Sequence, residues 1–318
     1  MEPSAYAPFD VPGYVGALRR QGELLVGAAQ RAGLAVEVPS CPGWAVRDLL
    51  KHTAYVHRWA TGFVAQGLTT PVGESEEEIL SQGPADAELP GWFREGHAAL
   101  VRALGSAGPD LNCWAFLAAP SPLAFWARRQ AHETAIHRVD AERAASTADQ
   151  PARTADQPAR TADQPARTAD QPARTPGQPA SAAGQPGDAA GPPAGAAGAA
   201  EAEDGTSFDP AFAADGVDEL LMGFLARGIR RGSWAGLGGS LAIHADDGTA
   251  GGADWLIAGG TDAPSVSRGT GQADCDVAGP ASELYLMLWN RGPADRLRVT
   301  GDPAILAAFG RTLQITWS

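Results

Sequence analysis

The chain has 318 residues, enough for two domains, and its hydrophobic fraction of 44% is ordinary for a globular protein. A formal net charge of −13 without any basic run argues against a surface for nucleic acid. Cys41, Cys113 and Cys275 are too scattered for a disulfide framework, and the sequence has neither a signal-peptide pattern nor an apolar run of membrane-spanning length, so we expect a cytoplasmic protein.

Residues 1–144 carry four stretches in which apolar side chains recur at helical spacing. These stretches are 14–34, 44–68, 91–108 and 122–144. The fourth opens with Pro122, a residue whose restricted backbone angle suits the first turn of a helix. Four helices of this length, joined by short to medium loops, predict a four-helix bundle.

A tandem repeat follows the bundle. The heptad TADQPAR occurs four times from Thr147 onward, and a degenerate copy starts at Thr175. Each unit contains a proline and lacks the apolar pair of a coiled coil, which excludes that structure. Between Ala144 and Ser207 there is no Leu, Ile, Val or aromatic residue, so the segment cannot bury enough surface to order itself. We predict a disordered linker over 145–206. One interpretation is a tandem repeat that the loop between two domains tolerates, and the other is a spacer or a partner-binding tail.

Residues 207–318 mix helices and strands. One helix is predicted over 209–231, and shorter helices over 280–291 and 302–310. Alternating or β-branched residues predict five strands, over 240–247, 254–260, 273–279, 295–301 and 313–317. This pattern predicts a smaller α+β domain with a mainly antiparallel sheet.

A candidate metal site lies in the fourth helix, in the stretch FWARRQAHETAIHRVDAE (125–142). It looks like the H-E-x-x-H helix of zinc proteases, in which two histidines four residues apart point the same way. Here His132 and His137 are five apart and diverge by roughly 140° around the helix, so they cannot share one ion. Glu133 and His137 are four apart and do share a face. A carboxylate with one imidazole is only half a site and requires a third ligand.

The second helix offers that third ligand. His52 lies at the flank of its apolar stripe, and flank positions of neighbouring bundle helices can converge on a common cavity. His52, Glu133 and His137 would then form a site of two histidines and one carboxylate, with open positions for water and substrate. The alternative is an ordinary surface pair of Glu133 with His137 and a solvated His52. We interpret His57 as a packing residue or a neighbour of the site.

Four segments carry a resemblance to a known family. The stretch VPSCPGWAVRDLLKHTAYVHRWA (38–60) resembles the V-P-x-C-P-G-W-x-V-R-D-L-x-x-H segment of the mycothiol-dependent maleylpyruvate isomerase family, and FWARRQAHETAIHR (125–138) resembles its R-R-x-A-H-E-x-x-x-H-R segment. DCDVAGPASELYLMLWNR (274–291) and LRVTGDPAIL (297–306) resemble the family's C-terminal domain. The resemblance covers nearly the whole chain except the repeat. It implies an N-terminal DinB-like four-helix bundle over 1–144 and a smaller C-terminal α/β domain over 207–318.

The resemblance also implies a metal and a cosubstrate. The family binds a divalent ion, typically zinc, through one histidine of the second helix and a Glu-x-x-x-His pair of the fourth. These positions fall on His52, Glu133 and His137, the three residues that helix geometry also singled out. The family further uses mycothiol, a cysteine-derived thiol that replaces glutathione in actinobacteria.

Other residues are expected at the same site, among them Arg129 and Asp140, which share a polar flank of the fourth helix with Glu133 and His137. Four of them are expected to surround the ligands or to line the pocket: Trp44, Arg129, His132 and Asp140. The family's C-terminal domain supplies a catalytic arginine. The candidates for it are Arg291, Arg296 and Arg298. We prefer Arg291, which follows the LMLWN segment.

The reaction implied by the resemblance is a cis–trans isomerisation. Mycothiol, as a metal-activated thiolate, would add to the double bond of maleylpyruvate, and rotation followed by elimination would yield fumarylpyruvate. The same thiolate could instead remain attached to an electrophilic metabolite or drug, which is S-transfer. A third alternative is a non-catalytic metal-binding or regulatory protein, and a fourth makes Cys41 the nucleophile. The expected partners are therefore mycothiol and a small-molecule electrophile, with no nucleic acid or membrane.

Overall fold

The computed structural model describes most of the chain outside the repeat. The described residues are 9–71, 78, 81, 83–149, 207–232, 234, 237–247, 253–259 and 264–312. The predicted linker lies outside them except for 145–149, and the predicted strand 313–317 lies outside them entirely. The described residues on both sides of the repeat belong to one compact unit. Within these ranges, no helix is both long and apolar enough to cross a membrane.

Four long helices form the N-terminal bundle, as predicted. They are α1 (Val11–Ala32), α2 (Val46–Gln66), α3 (Leu89–Ser106) and α4 (Pro122–Asp149). Asp10 begins α1, because its carboxylate accepts a hydrogen bond at 2.9 Å from the backbone N–H of Gly13, which has no partner within the helix. Gly67 ends α2 in the left-handed conformation, with a φ of 63° that glycine adopts without a steric penalty.

The fourth helix continues past its predicted end at Ala144 and reaches Asp149. In its last turns the hydroxyl of Thr147 donates to the carbonyl oxygen of Arg143 at 2.9 Å. Proline is the residue that excludes a helix from the repeat, and the first one is Pro151. The opening residues of the repeat precede that proline and therefore extend the helix.

Apolar side chains on the inner faces of the helices form the bundle core. Phe63 of α2 and Trp126 of α4 are fully buried and stack with ring centroids 5.1 Å apart. The indole N–H of Trp126 donates to the carbonyl oxygen of Trp114 at 2.8 Å, so the polar atom of the buried ring has a partner. Burial of one such side chain contributes about 1.5–3 kcal/mol. This packing sets the rotation of α4 against α2, and with it the direction in which their polar side chains point.

The C-terminal part begins with a helix that changes its hydrogen-bonding pattern. It consists of α5 (Pro210–Asp218), a π-helical segment (Glu219–Leu225) and α6 (Ala226–Arg230). The apolar spacing predicts one helix over 209–231, because it does not distinguish a wider π turn from an α-helix. Segments of this kind are rare and are frequent at functional sites.

A five-stranded sheet follows, in the order β3-β2-β1-β4-β5. The strands are β1 (Gly239–Ala245), β2 (Ala253–Gly259), β3 (Ser265–Arg268), β4 (Cys275–Gly279) and β5 (Arg298–Gly301). Among these strands only β1 and β4 pair in parallel, which confirms the mainly antiparallel sheet. β3 was not predicted, because SVSR is too short to show a strand pattern. Two further helices, α7 (Ala281–Leu288) and α8 (Pro303–Thr312), contact β4.

One apolar core runs from the bundle into the C-terminal part. Within it, His132 of α4 stacks on Phe212 of α5 with ring centroids 4.4 Å apart. Beside them the carboxylate of Asp215 accepts hydrogen bonds from the Tyr14 hydroxyl at 2.8 Å and from Arg128 Nε at 3.0 Å, and it pairs with His132 Nε2 at 2.8 Å. These groups belong to α1, α4 and α5, so a buried ionic cluster joins the two parts of the chain.

Two buried histidines of the bundle give stability a pH dependence. The rings of His57 on α2 and His97 on α3 lie with centroids 5.1 Å apart. Burial lowers the pKa of both imidazoles, and His97 lowers that of His57 further. Below about pH 6.5 the unfolded chain therefore binds more protons than the folded protein, and stability falls as the pH falls.

We expect the wild type to lose up to about 1.4 kcal/mol more stability than His57→Gln between about pH 6.5 and 5.5. The glutamine retains a polar group opposite Thr134 Oγ1, which His57 Nε2 meets at 2.9 Å. Urea unfolding of both proteins at a series of pH values measures the difference. Stability profiles that run parallel for the two proteins would contradict the assignment.

Candidate metal centre

Helices α2 and α4 bring three titratable side chains together inside the bundle. His52 Nε2 lies 3.4 Å from Glu133 Oε1, and His137 Nε2 lies 3.1 Å from the same oxygen. One ligand atom of each residue lies within 4.8 Å of the other two. The side chains are between 2% and 5% exposed. The structure thus unites the three residues that helix spacing pointed to.

This donor set fits a divalent ion. Two imidazole nitrogens and a carboxylate oxygen are ligands of catalytic zinc sites, which they bind at about 2.0–2.2 Å. Two ligand atoms on a tetrahedral ion at that distance lie about 3.4 Å apart. The separations of 3.1 and 3.4 Å between Glu133 Oε1 and the two imidazole nitrogens are close to this value. Three protein ligands also leave a position for another ligand.

Arg129 balances the charge of the carboxylate. Its Nη2 donates to Glu133 Oε2 at 3.0 Å, one turn along α4, and its Nη1 donates to the carboxylate of Glu219. The guanidinium lies 5.2 Å from the ring centroid of Phe224 and 5.6 Å from that of Trp289. Oε2 of Glu133 therefore accepts a hydrogen bond from Arg129, and Oε1 faces the two histidines.

The protonation states of the cluster follow from these contacts. Burial by itself would raise the pKa of Glu133, but His137, His52 and Arg129 together hold it well below its usual range. Burial would likewise lower the pKa of His137, but Glu133 and Asp140 outweigh it and raise that pKa to about 9. In the metal-free protein, Glu133 is ionised and His137 is protonated at neutral pH. A metal must displace that proton, because only the neutral imidazole coordinates.

Asp140 connects the cluster with the C-terminal part. Its Oδ2 lies 3.0 Å from His137 Nδ1, which directs the other ring nitrogen, Nε2, toward the cluster. Arg291 donates from Nε and Nη2 to the two oxygens of the same carboxylate at 2.9 and 3.1 Å. The hydroxyl of Ser40 and the thiol of Cys41 contact it as well. One fully buried carboxylate thus orients a candidate ligand and an arginine that follows α7.

Trp44 covers the imidazoles. Its ring centroid lies 5.0 Å from that of His52 and 6.5 Å from that of His137, to which its plane is inclined by 26°. The loop before α2 holds Trp44 in place, since its backbone N–H donates to Cys41 O at 3.0 Å and its carbonyl oxygen accepts from Val38 N at 2.9 Å. The indole therefore shields one side of the cluster from water.

Two family models match this sequence. "Mycothiol maleylpyruvate isomerase N-terminal domain" matches residues 15–142, and "MDMPI C-terminal domain" matches residues 211–308. Together the two matches span the bundle and most of the C-terminal part. The chain belongs to the mycothiol-dependent maleylpyruvate isomerase family.

The fold is similar to solved structures of this isomerase family. A crystal structure of a mycothiol-dependent maleylpyruvate isomerase matches with a TM-score of 0.52 at 14% identity, covering 92% of this chain and 93% of that chain. The crystal structure of a histidine-to-alanine mutant of a mycothiol-dependent maleylpyruvate isomerase matches with a TM-score of 0.51 at 14% identity and over the same shares. At this identity the likeness shows the fold alone. A search of the curated proteins finds no match.

Most of the residues expected around the site of an isomerase of this family contact the cluster. Those that do are Trp44, Arg129 and Asp140. His132 does not: its ring nitrogens lie 2.8 Å from Asp215 Oδ2 and 3.1 Å from the Tyr285 hydroxyl. His132 precedes His137 by five residues and thus lies on another face of α4, directed at the C-terminal part.

The three arginines predicted as candidates for the C-terminal domain differ in exposure and in their ion-pair partners. Arg291 lies at the Asp140 carboxylate beside the cluster. Arg296 and Arg298 are 57% and 67% exposed and pair with Glu283 and Asp246. Of these three, Arg291 is therefore the arginine that the fold brings to the candidate centre.

The sequence analysis did not predict two residues that contact the surroundings of the candidate ligands, Ser40 at Asp140 and Glu219 at Arg129. Ser40 belongs to the PSCPGW stretch, so its place in the motif is the signal that could have revealed it. Glu219 comes from the π-helical segment, and no feature of the sequence near it indicates a contact with Arg129. Its contribution depends on how α4 packs against the C-terminal part.

The structure bears on the idea that Cys41 is the nucleophile. Burial and the neighbouring carboxylate of Asp140 raise the pKa of the Cys41 thiol to about 12. A thiol with such a pKa is protonated at neutral pH, and the thiolate is the nucleophilic form. The environment of Cys41 therefore disfavours a nucleophilic role.

Proposed function

We propose that the protein is a mycothiol-dependent enzyme in which His52, Glu133 and His137 hold a divalent ion, expected to be zinc. The observation that carries the proposal is the buried convergence of two imidazoles and one carboxylate in a chain of this family. When bound, the ion supplies the positive charge that deprotonates a coordinating thiol near neutral pH.

The chain's own residues prepare this site. Asp140 accepts from His137 Nδ1 and so keeps Nε2 directed at the cluster. Arg129 neutralises part of the charge of Glu133 by donating to Oε2, whereas Oε1 is the oxygen that faces the histidines. Trp44 excludes water from one side, which strengthens every electrostatic interaction within the site.

The reaction that this arrangement supports best is maleylpyruvate isomerisation. The sulfur of mycothiol adds to the cis double bond, the resulting single bond rotates, and elimination returns the thiol and yields fumarylpyruvate. Negative charge develops on the substrate during the addition. Arg291, the cation beside the cluster in the C-terminal part, stabilises that charge and orients the substrate carboxylates.

A second candidate is S-transfer of mycothiol to an uncharged electrophile. The observation in its favour concerns the charge of Arg291, which Asp140 already neutralises through two hydrogen bonds at 2.9 and 3.1 Å. A third donor of Arg291 bonds the carbonyl oxygen of Trp289 at 2.8 Å. A dianionic substrate must compete for these donors, whereas an uncharged electrophile does not.

The test supplies zinc-loaded protein with mycothiol and, in separate reactions, maleylpyruvate or monochlorobimane. Proton NMR follows formation of the trans isomer, and mass spectrometry follows the mycothiol thioether. Isomer formation that requires mycothiol without consuming it supports the isomerase, and stoichiometric thioether formation supports the transferase. If protein with one equivalent of zinc accelerates neither reaction, the enzyme proposal fails and a non-catalytic metal protein remains.

A further inference from the structure

A cavity lies between the bundle and the C-terminal part. Its volume is about 560 Å³, within the range of sites that bind drug-sized molecules. None of the three candidate metal ligands lines it. The cavity therefore does not contain the candidate ligands, although Glu219 of its wall bonds Arg129 beside them.

The cavity wall is mostly apolar. Its main apolar side chains are Phe9, Val11, Leu117, Phe125 and Met222. Phe9 precedes α1 and Val11 is its first residue, while Phe125 comes from α4 and Met222 from the π-helical segment. A concave apolar wall built from several elements, with few polar groups, is typical of a small-molecule site.

The charged end of the cavity offers hydrogen-bond donors rather than acceptors. Asp218 is fully buried there, and its two oxygens accept hydrogen bonds from Arg128, Trp255 and Arg268. Glu219 is bonded to Arg129. These two carboxylates are thus already engaged, which leaves them poor binding sites for a ligand cation. Asp10, the third carboxylate of the wall, is exposed and caps α1.

Arg128 supplies a hydrogen-bond donor at this end of the cavity. Its Nε and Nη2 are held by Asp215 and Asp218 at 2.7–3.0 Å, which fixes the plane of the guanidinium. Its Nη1 makes no hydrogen bond with any residue in the described ranges. The side chain is 19% exposed and lines the cavity. A fixed guanidinium with one open nitrogen matches a carboxylate or another acceptor group.

The π-helical segment shapes this wall. Glu219, Met222 and Gly223 all line the cavity, and all three belong to the segment. A side chain in place of Gly223 would put its Cβ at 3.0 Å from Leu117, so the glycine permits the close approach that forms the wall. A π-helical turn is disfavoured in itself and occurs mostly at functional sites. Its position here is a second observation that points to a ligand.

We propose that this cavity binds an amphipathic monocarboxylate, with its apolar body against the Phe9–Phe125–Met222 wall and its carboxylate on Nη1 of Arg128. The site is separate from the proposed thiol chemistry and does not depend on a metal. Its occupant is a small organic acid with an aliphatic or aromatic body, and one carboxylate is enough for the contact with Nη1 of Arg128.

Decanoate, with its neutral amide decanamide as comparator, tests the proposal by isothermal titration calorimetry on the full chain. Decanoate is expected to bind with one-to-one stoichiometry and roughly tenfold or more tightly than decanamide, because hydrogen bonds to a charged group are the stronger ones. Ala124→Trp, at a half-buried position of the wall, fills the cavity without removing an ion pair and is expected to weaken binding at least roughly tenfold. Ala98→Trp, at a half-buried position of α3 outside the wall, is the matched control and leaves binding unchanged.

Two further measurements locate the bound acid. His52→Ala is expected to retain decanoate binding, whereas its loss there would assign the acid to the metal centre and overturn the proposal. Photolysis of a diazirine analogue of decanoate bound to the wild-type protein is expected to label segments 117–128 or 218–223. Because this measurement uses the wild type, it does not depend on whether Ala124→Trp folds. Equal affinity for decanamide, no binding up to the solubility limit, or labelling elsewhere would each overturn the site.

Discussion

Replacement of His52 by alanine is expected to remove the metal from the purified protein. The wild type should carry about one equivalent of zinc, and the variant close to none, because two ligands remain of the three. We expect the affinity for zinc to fall by more than about 100-fold, since even the loss of a residue that only orients a ligand reduces metal affinity by 10–100-fold. Zinc should also raise the unfolding midpoint of the wild type and leave that of the variant unchanged.

Metal content is measured by mass spectrometry on dialysed protein, and mycothiol is titrated into both proteins by calorimetry. His244→Ala is the matched control, because this histidine of β1 bonds Asp254 and Asp276 and lies outside the cluster. The control should keep its zinc and its mycothiol signal. A His52→Ala protein that folds cooperatively and retains a full equivalent of zinc would show that the cluster is not the metal site.

Replacement of Asp215 by alanine is expected to cost about 3–5 kcal/mol of stability. This carboxylate is fully buried and accepts from Tyr14 and Arg128 while it pairs with His132. Its removal leaves the Arg128 cation with one carboxylate partner fewer and the Tyr14 hydroxyl without its acceptor. Uncompensated buried groups of this kind are among the largest causes of destabilisation by a single mutation.

Urea denaturation of the wild type and the variant measures this loss. Asp86→Ala provides the comparison, because Asp86 is 44% exposed in its pair with Arg47 and such surface pairs contribute about 0–1 kcal/mol. A loss for Asp215→Ala no greater than that for Asp86→Ala would refute the view that this cluster holds the C-terminal part against the bundle. Unfolding of the variant in two separate steps would instead show that the cluster couples the two parts.

The two clusters lie on different faces of the same helix. His132 and Arg128 direct α4 toward Asp215, whereas Glu133 and His137 direct it toward His52. Contacts with the C-terminal part thus act together with the bundle packing on the rotation of α4, the helix that carries two candidate ligands. We infer that the C-terminal part helps to position the candidate ligands in two ways. Its contacts with α4 orient the helix that carries Glu133 and His137, and Arg291 holds the Asp140 carboxylate that contacts His137.

Features that depend on positions along a single helix or strand could be predicted from the sequence. The apolar spacing predicts the four helices, and the spacing of four residues puts Glu133 and His137 on one face while it separates His132 from His137. The motifs around Trp44 and Glu133 carried the family resemblance. The alternation of residues predicted most strands, although not β3, whose four residues are too few to show a period.

Which side chains from different elements meet depends on the tertiary structure. It brought His52 against Glu133, Arg291 against Asp140 and Glu219 against Arg129. It also directed His132 to Asp215 and opened a cavity lined by Arg128. The physical reason is that helical periodicity fixes the relative directions of side chains within one helix. The rotation and approach of one helix against another depend instead on how their buried side chains interlock, and that packing cannot be read from either helix alone.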